Sequence, residues 1–371
     1  MTEQINEVCA SDELKRRKLP DILLFSDGRK VEDKEMWTER RAEIAEILQH
    51  NYCGYEPPIK PKVTGIVTKE DSKTFCAGKA VYQKLDISCK LTTGNFTFPC
   101  HFAKPKNIVN PPVFVYISFS DSFVDELLPL EEIIDEGFAV AAFYYQNIAP
   151  DTDDNFMNGI ALSYGRNPFD AWGKVRMWAW GASRVMDYLS TRDDIDQDRV
   201  AVVGHSRLGK AALVCGAFDE RFSIVISNNS GGAGAAIFRG KQGEMVKNFK
   251  GGTSGHWFAG NFSNYAKKED EMPFDMHFLL SMIAPRYLYV CSAKEDLHSD
   301  PKSEFLSCVA ASDVYGLFEK KGLVADNLIP SQPVSFHEGE LGYHMRDGHH
   351  FLSRYDWKKF IEYRNNPLHI C

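Results

Sequence analysis

At 371 residues, 44% hydrophobic and 25% charged, the chain has the composition of a globular protein able to bury a sizeable core. No apolar run is long enough to span a bilayer, which excludes a membrane-spanning protein. A net charge of −8, with no basic block interleaved with aromatics, argues against nucleic acid as a partner.

Residues 1–33 are polar and mixed and read as an irregular N-terminal extension. Their acidic residues interrupt the basic-then-apolar layout of a secretory leader, so the expectation is a cytoplasmic protein, secreted if a leader was removed. Nine cysteines without C-x-x-C spacing argue against a zinc ribbon and for reduced thiols, with Cys89 and Cys100 as the pair left open to bridging. No metal and no cofactor is expected, and the sequence carries no reading of oligomeric state.

Helical spacing of apolar residues predicts a helix over Trp37–His50. From Val63 to Lys104 the period changes to two, predicting antiparallel strands joined by a turn at Thr93-Gly94-Asn95. Five short, unbroken apolar runs follow: "VFVYISF" from Val113, "FAVAAFYY" from Phe138, "RVAVVGHS" from Arg199, "FSIVISNNS" from Phe222 and "RYLYVCSA" from Arg286. Such runs are the mark of parallel strands buried on both faces. Helical segments at Trp172–Ser190 and Asp300–Phe318 lie between or after them. Antiparallel strands followed by βαβ units predict one α/β domain over residues 1–371, an α/β-hydrolase three-layer sandwich with a mostly parallel central sheet.

The chemistry centres on "VAVVGHSRLGKAAL". Ser206 sits where a strand gives way to a helix, and a sharp turn there lifts its hydroxyl toward the crevice at the strands' carboxyl ends. Gly204 and Gly209 permit the close backbone approach of such a turn. The plain alternative is a serine N-cap on an ordinary corner. A serine nucleophile needs a base and an acid that orients it, in the chain order nucleophile, acid, histidine. His349 and His350 stand where that order places the base, with His256, His277, His298, His337 and His344 as rivals. Among the acids after the last apolar run, Asp296 has the best offset; Asp300 before Pro301 looks like a helix cap and Glu295 like a solvent-facing residue. Arg207 and Lys210, on the first turn after the serine, suit a developing oxyanion or an anionic substrate, unless they pair with Asp219 and Glu220. Trp178 and Trp180 at helical spacing read as packing, and Trp257 as a candidate for the cleft rim.

Together with "SNNSGGAGAA", "GHWF", "PFDMHFLLSMIAPRYLYV", "EDLHSDP" and "GYHMRDGHHFLSRYDW", the element "GHSRLGKAAL" resembles the bacterial branch of the glucuronoyl esterase family of carbohydrate esterases. The similarity runs in order over most of residues 110–365, and the G-x-S-R-x-G-K element is specific to that family among α/β-hydrolases. The resemblance implies a metal-free serine esterase acting on esters of 4-O-methyl-glucuronic acid between xylan and lignin alcohols. It places the nucleophile at Ser206, the base at His350 and the oxyanion-supporting arginine at Arg207. It gives Lys210 and Glu244 contacts to sugar hydroxyls. Two positions depart from the family pattern. Asn229 stands where some members have their acid, a glutamate, so the role falls on Asp296. His298 stands where members commonly have a sugar-contacting tryptophan, which removes an apolar wall and an N–H donor. The expected partner is thus a small-molecule or oligosaccharide uronate ester. The alternatives are an acetyl xylan esterase, and a catalytically inactive carbohydrate-binding relative.

Overall fold

The computed structural model describes residues 8–58, 60–251 and 254–366. The alternating N-terminal stretch forms β1 (Lys62–Asp71), β2 (Ala80–Leu91) and β3 (Gly94–Pro105), an antiparallel meander. Leu91 pairs with Gly94, so the β2–β3 turn lies at Thr92 and Thr93, one residue earlier than expected. Gly94 itself has φ +129, open to a residue without a side chain.

β3 then pairs antiparallel with β5 (Ala139–Tyr144), which joins the meander to the parallel strands. These are β4 (Val113–Ser118), β6 (Val200–His205), β7 (Ile224–Asn228), β8 (Tyr287–Ala293) and β10 (Leu341–Arg346), with β9 (Val334–Phe336) antiparallel at the far edge. The ten strands form one sheet in the order β1-β2-β3-β5-β4-β6-β7-β8-β10-β9.

Nine α-helices are described: α1 (Ala10–Arg17), α2 (Lys34–Leu48), α3 (Leu130–Asp135), α4 (Lys174–Leu189), α5 (Arg207–Phe218), α6 (Met276–Ser281), α7 (Pro301–Ala311), α8 (Asp313–Gly316) and α9 (Arg354–Arg364). Successive strand residues point to opposite faces, which explains the unbroken apolar runs. Val113, Val115 and Ile117 of β4 share a core with Trp178 of α4 and Leu208 of α5. Their neighbours Phe114 and Tyr116 pack instead with Ile133 of α3 and with Trp357 and Phe360 of α9. The result is a three-layer α/β-hydrolase sandwich. Among the described residues, no helix is long and apolar enough to cross a membrane.

The structure corrects one expectation outright. Residues 10–17 are not irregular: α1 is anchored through Arg17, which pairs with Glu13 at 3.1 Å and donates to Ser303 Oγ at 2.7 Å. Residues 1–7 lie outside the described set. Cys89 and Cys100 are both buried free thiols, on β2 and β3. Trp178 and Trp180 are buried as expected, and the Trp178 indole donates to Ala149 O at 2.9 Å. β10 was not among the expected strands. Its Gly342, His344 and Arg346 break the apolar pattern, yet all six of its residues are buried because Tyr289 and Asp356 give the histidine its partners.

Candidate active site

The site forms at the carboxyl ends of β6, β7, β8 and β10, which deliver Ser206, Asn229, Asp296 and His350 to one place. Ser206 has φ +58 and ψ −128, a conformation most residues avoid, held by its N–H donating to Asn228 O at 2.8 Å. Gly204 makes that corner possible, because a Cβ there would lie 1.9 Å from Leu208 O. Gly209 lets α5 approach Ser230, whose Cβ would be 3.0 Å away. Ser206 makes no side-chain cap to α5, which disposes of the N-cap alternative.

The Ser206 hydroxyl lies 2.8 Å from His350 Nε2, and His350 Nδ1 lies 2.6 Å from Asp296 Oδ2. A carboxylate can only accept, so Nδ1–H donates to Asp296 and Nε2 is left to accept from the serine. Asp296 also accepts from the Asn229 amide at 3.1 Å and the Ser299 N–H at 3.2 Å. Burial alone pushes its carboxyl up, but the bonds from His350 and Ser299 outweigh this and hold it well below the usual carboxylate range. Asp300 caps α7, bonding Ser303, and is not part of the relay.

The histidine is braced from two sides. His205 lies against the His350 ring with centroids 4.7 Å apart, and its own Nδ1 meets Asn228 Oδ1 at 2.6 Å. Burial, and then the neighbouring His350, push His205 down to about 4, so it stays neutral. The turn carrying His350 is gripped by Arg346, which donates to His349 O at 3.2 Å and Phe351 O at 2.6 Å.

The cations do not pair with Asp219 and Glu220. Arg207 Nη1 donates to Asp151, while its guanidinium sits 4.9 Å from the Trp257 ring centroid and 5.9 Å from that of Phe119. Lys210 donates to Ser230 O at 2.6 Å, Gly232 O at 2.5 Å and Glu244 Oε2 at 2.7 Å. Glu304 of α7 supports this loop from beneath, accepting from Gly231 N–H at 2.9 Å and Ser292 Oγ at 2.6 Å, and burial pushes its carboxyl up to about 8. His298 is 66% exposed with Nε2 3.8 Å from Glu244 Oε1.

All eight residues singled out from the sequence, Ser206, Arg207, Lys210, Glu244, Trp257, Asp296, His298 and His350, line one cavity of about 360 Å³ with Asn229, Ser230 and Ser299. Of the rival histidines, His277 bonds Pro20 O, and His337 and His344 bond Tyr289, away from the cavity; His298 lines the cavity and His256 bonds Asp151, but neither bonds Ser206. A larger cavity of about 630 Å³ borders α4 and α5, but no histidine lines it. Sequence reasoning missed Asp151, a 5% exposed carboxylate behind the cavity that binds Arg207, His256 and Trp257 together. Its sequence, "PDTDD", holds three aspartates with nothing to rank them. Burial raises the Asp151 carboxyl, and its hydrogen bonds from His256, Trp257 and Arg207 more than offset this, leaving it at about 2.

A relay of serine, histidine and aspartate in a polar cavity can do acyl transfer, and the comparisons with known proteins agree. Residues 87–318, more than half of the chain, match the model of a family described as glucuronyl esterase, fungi. The chain belongs to the glucuronoyl esterase family. Over 393 residues it is 32% identical to a carbohydrate esterase of an unknown prokaryotic organism, covering 94% of this chain and 89% of that one. It is 31% identical over 310 residues to 4-O-methyl-glucuronoyl methylesterase 1 of Wolfiporia cocos, covering 80% and 71%. A solved glucuronoyl esterase from Solibacter usitatus superposes with a TM-score of 0.85 at 35% identity, covering 93% of this chain and 97% of that one. As a glucuronoyl esterase family member the protein is a carboxylic ester hydrolase, and the polar lining of its cavity suits a hydroxyl-rich substrate.

Proposed function

We propose that the protein hydrolyses glucuronoyl esters through an acyl-enzyme formed on Ser206. The observation that carries this reading is the Ser206–His350–Asp296 relay, with contacts of 2.8 and 2.6 Å, inside a cavity that also holds Arg207 and Lys210. Family membership and the methylesterase relative support the choice of a uronate ester.

In the first half-reaction His350 Nε2 takes the Ser206 proton as Oγ attacks the uronate carbonyl carbon. Asp296 stabilises the resulting imidazolium. Negative charge gathers on the former carbonyl oxygen, where the Arg207 guanidinium and the N-terminus of α5 oppose it. The tetrahedral intermediate collapses, the C–O bond to the alcohol breaks, and His350 returns the proton to the departing oxygen. Water then attacks the acyl-enzyme by the same route, releasing the uronic acid and restoring Ser206. Glu244, held by Lys210, offers an acceptor to sugar hydroxyls, whereas the three N–H donors of Lys210 are already taken by Ser230 O, Gly232 O and Glu244, so the lysine acts by fixing that carboxylate.

Initial rates on benzyl glucuronate and on acetylated xylose test the reading. Wild-type protein is expected to prefer the glucuronate, and Ser206→Ala to lower its turnover by about 10⁵ or more while keeping the fold. A preference for acetylated xylose makes the protein an acetyl esterase, and undiminished activity of Ser206→Ala removes the serine assignment.

A further inference from the structure

Asp151 follows β5, far in sequence from three of the four residues whose side chains it binds. One of its oxygens, Oδ2, accepts from Arg207 Nη1 and from the Tyr145 hydroxyl at 3.2 Å. The other, Oδ1, accepts from His256 Nε2 at 2.9 Å and the Trp257 indole at 2.7 Å. Two of these four donors, Arg207 and Trp257, belong to residues that line the cavity. Among the described residues, Arg207 donates no other side-chain hydrogen bond; its Nε is buried without a partner. The direction of the guanidinium is therefore set by one carboxylate and by the aromatic rings beside it.

Charge leads to a second consequence. Arg207 is matched by Asp151 and Lys210 by Glu244, so neither cation of the cavity is left unneutralised. The substrate, an ester, is neutral at the reacting carbon, whereas the product there is a carboxylate. A lone arginine beside that carbon would hold the product more tightly than the substrate.

We propose that Asp151 is a positioning residue of the ester hydrolysis: it aims Arg207 and, by neutralising it, keeps the site from retaining the carboxylate product. The proposal rests on the assignment of Ser206 and Arg207 made above. Asp151 touches no reacting atom and acts through Arg207.

The test uses the full chain with benzyl glucuronate as substrate and glucuronate as inhibitor, on Asp151→Asn, Arg207→Ala and the double variant. Asp151→Asn is expected to lower kcat about 10- to 100-fold with KM little changed, since a misaimed donor is lost mainly in the transition state. On the Arg207→Ala background the same change is expected to have almost no effect. Inhibition by glucuronate is expected to tighten about tenfold in Asp151→Asn, the opposite of what a merely loosened site does. Equal losses with and without Arg207, or unchanged or weaker glucuronate inhibition, overturn the proposal. A fully active Arg207→Ala overturns both the assignment and the proposal, whereas failure of the clamp alone leaves Arg207→Ala impaired. Should Asp151→Asn not fold, Asp151→Glu, which keeps the charge but shifts it by one methylene, is expected to lower kcat only where Arg207 is present and to leave glucuronate inhibition unchanged. Any other result with it overturns the proposal.

Discussion

Asp356 at the start of α9 grips Arg346 at the end of β10, with both carboxylate oxygens 3.0 Å from Nε. Arg346 in turn donates to the carbonyls of Asp347, His349 and Phe351, so the turn that presents His350 is tied to the buried layer beneath it. Asp356 also accepts from His344 at 2.8 Å and from Ser353 Oγ at 2.7 Å. Replacing Arg346 with lysine keeps the charge but loses the planar fork. The expected result is a kcat about tenfold lower, with Ser206 still labelled by a fluorophosphonate probe. Asp356→Ala leaves Arg346 buried and uncompensated and is expected to cost about 3–5 kcal/mol in urea denaturation.

Gly204 decides whether the serine corner can form. Because a Cβ at this position meets the backbone oxygen of Leu208, relief requires moving helix α5 itself. Gly204→Ala is expected to destabilise by about 3 kcal/mol or more and to reduce turnover even where the protein folds. Thermal denaturation together with initial rates checks both parts.

Asp296 fixes the tautomer of His350, and Asn229 helps to fix Asp296. Asp296→Asn is expected to lower kcat by about 10³–10⁴, the scale seen when a relay aspartate is neutralised. Asn229→Ala removes one donor at 3.1 Å and is expected to lower kcat about tenfold, not a thousandfold, because Ser299 still holds the carboxylate. Parallel kcat measurements on the two variants distinguish the residue that touches the base from the one that supports it.

His205 makes a prediction about acid stability. It is neutral in the folded protein because burial depresses its pKa to about 4, whereas the unfolded side chain titrates near 6.5. Between those values the unfolded chain binds the extra proton, so stability falls as pH drops from about 6.5 to about 4, on the order of 3 kcal/mol in all. His205→Gln removes this term. The stability difference between wild type and the variant, measured by urea denaturation at pH 7 and pH 4, is therefore expected to narrow toward acid. A constant difference contradicts the assignment of a buried neutral imidazole.

Much of the architecture was legible because burial on both faces leaves a plain signature. Five of the six parallel strands announce themselves as unbroken apolar runs, and the meander as alternation. β10 escaped for a physical reason: its polar residues are acceptable only because Tyr289 and Asp356, distant in sequence, satisfy them. The short α3 carries too few residues to show a period, and α1 is secured by contacts with Arg239 and Ser303 rather than by its own pattern.

At the site the division follows the same line. By itself the sequence determined the corner at Ser206, the two cations on the next turn and the chain order of acid and base, since these are local or ordinal features. Spacing left His349 and His350 open and only the family resemblance favoured His350; tertiary structure set His350 against Asp296, and it alone matched Arg207 to Asp151 and Lys210 to Glu244. Hydrogen bonds act over about 3 Å, and 56 residues separate Asp151 from Arg207. No spacing rule spans that gap; only the folding of β5 beside β4, and β4 beside β6, brings the two together.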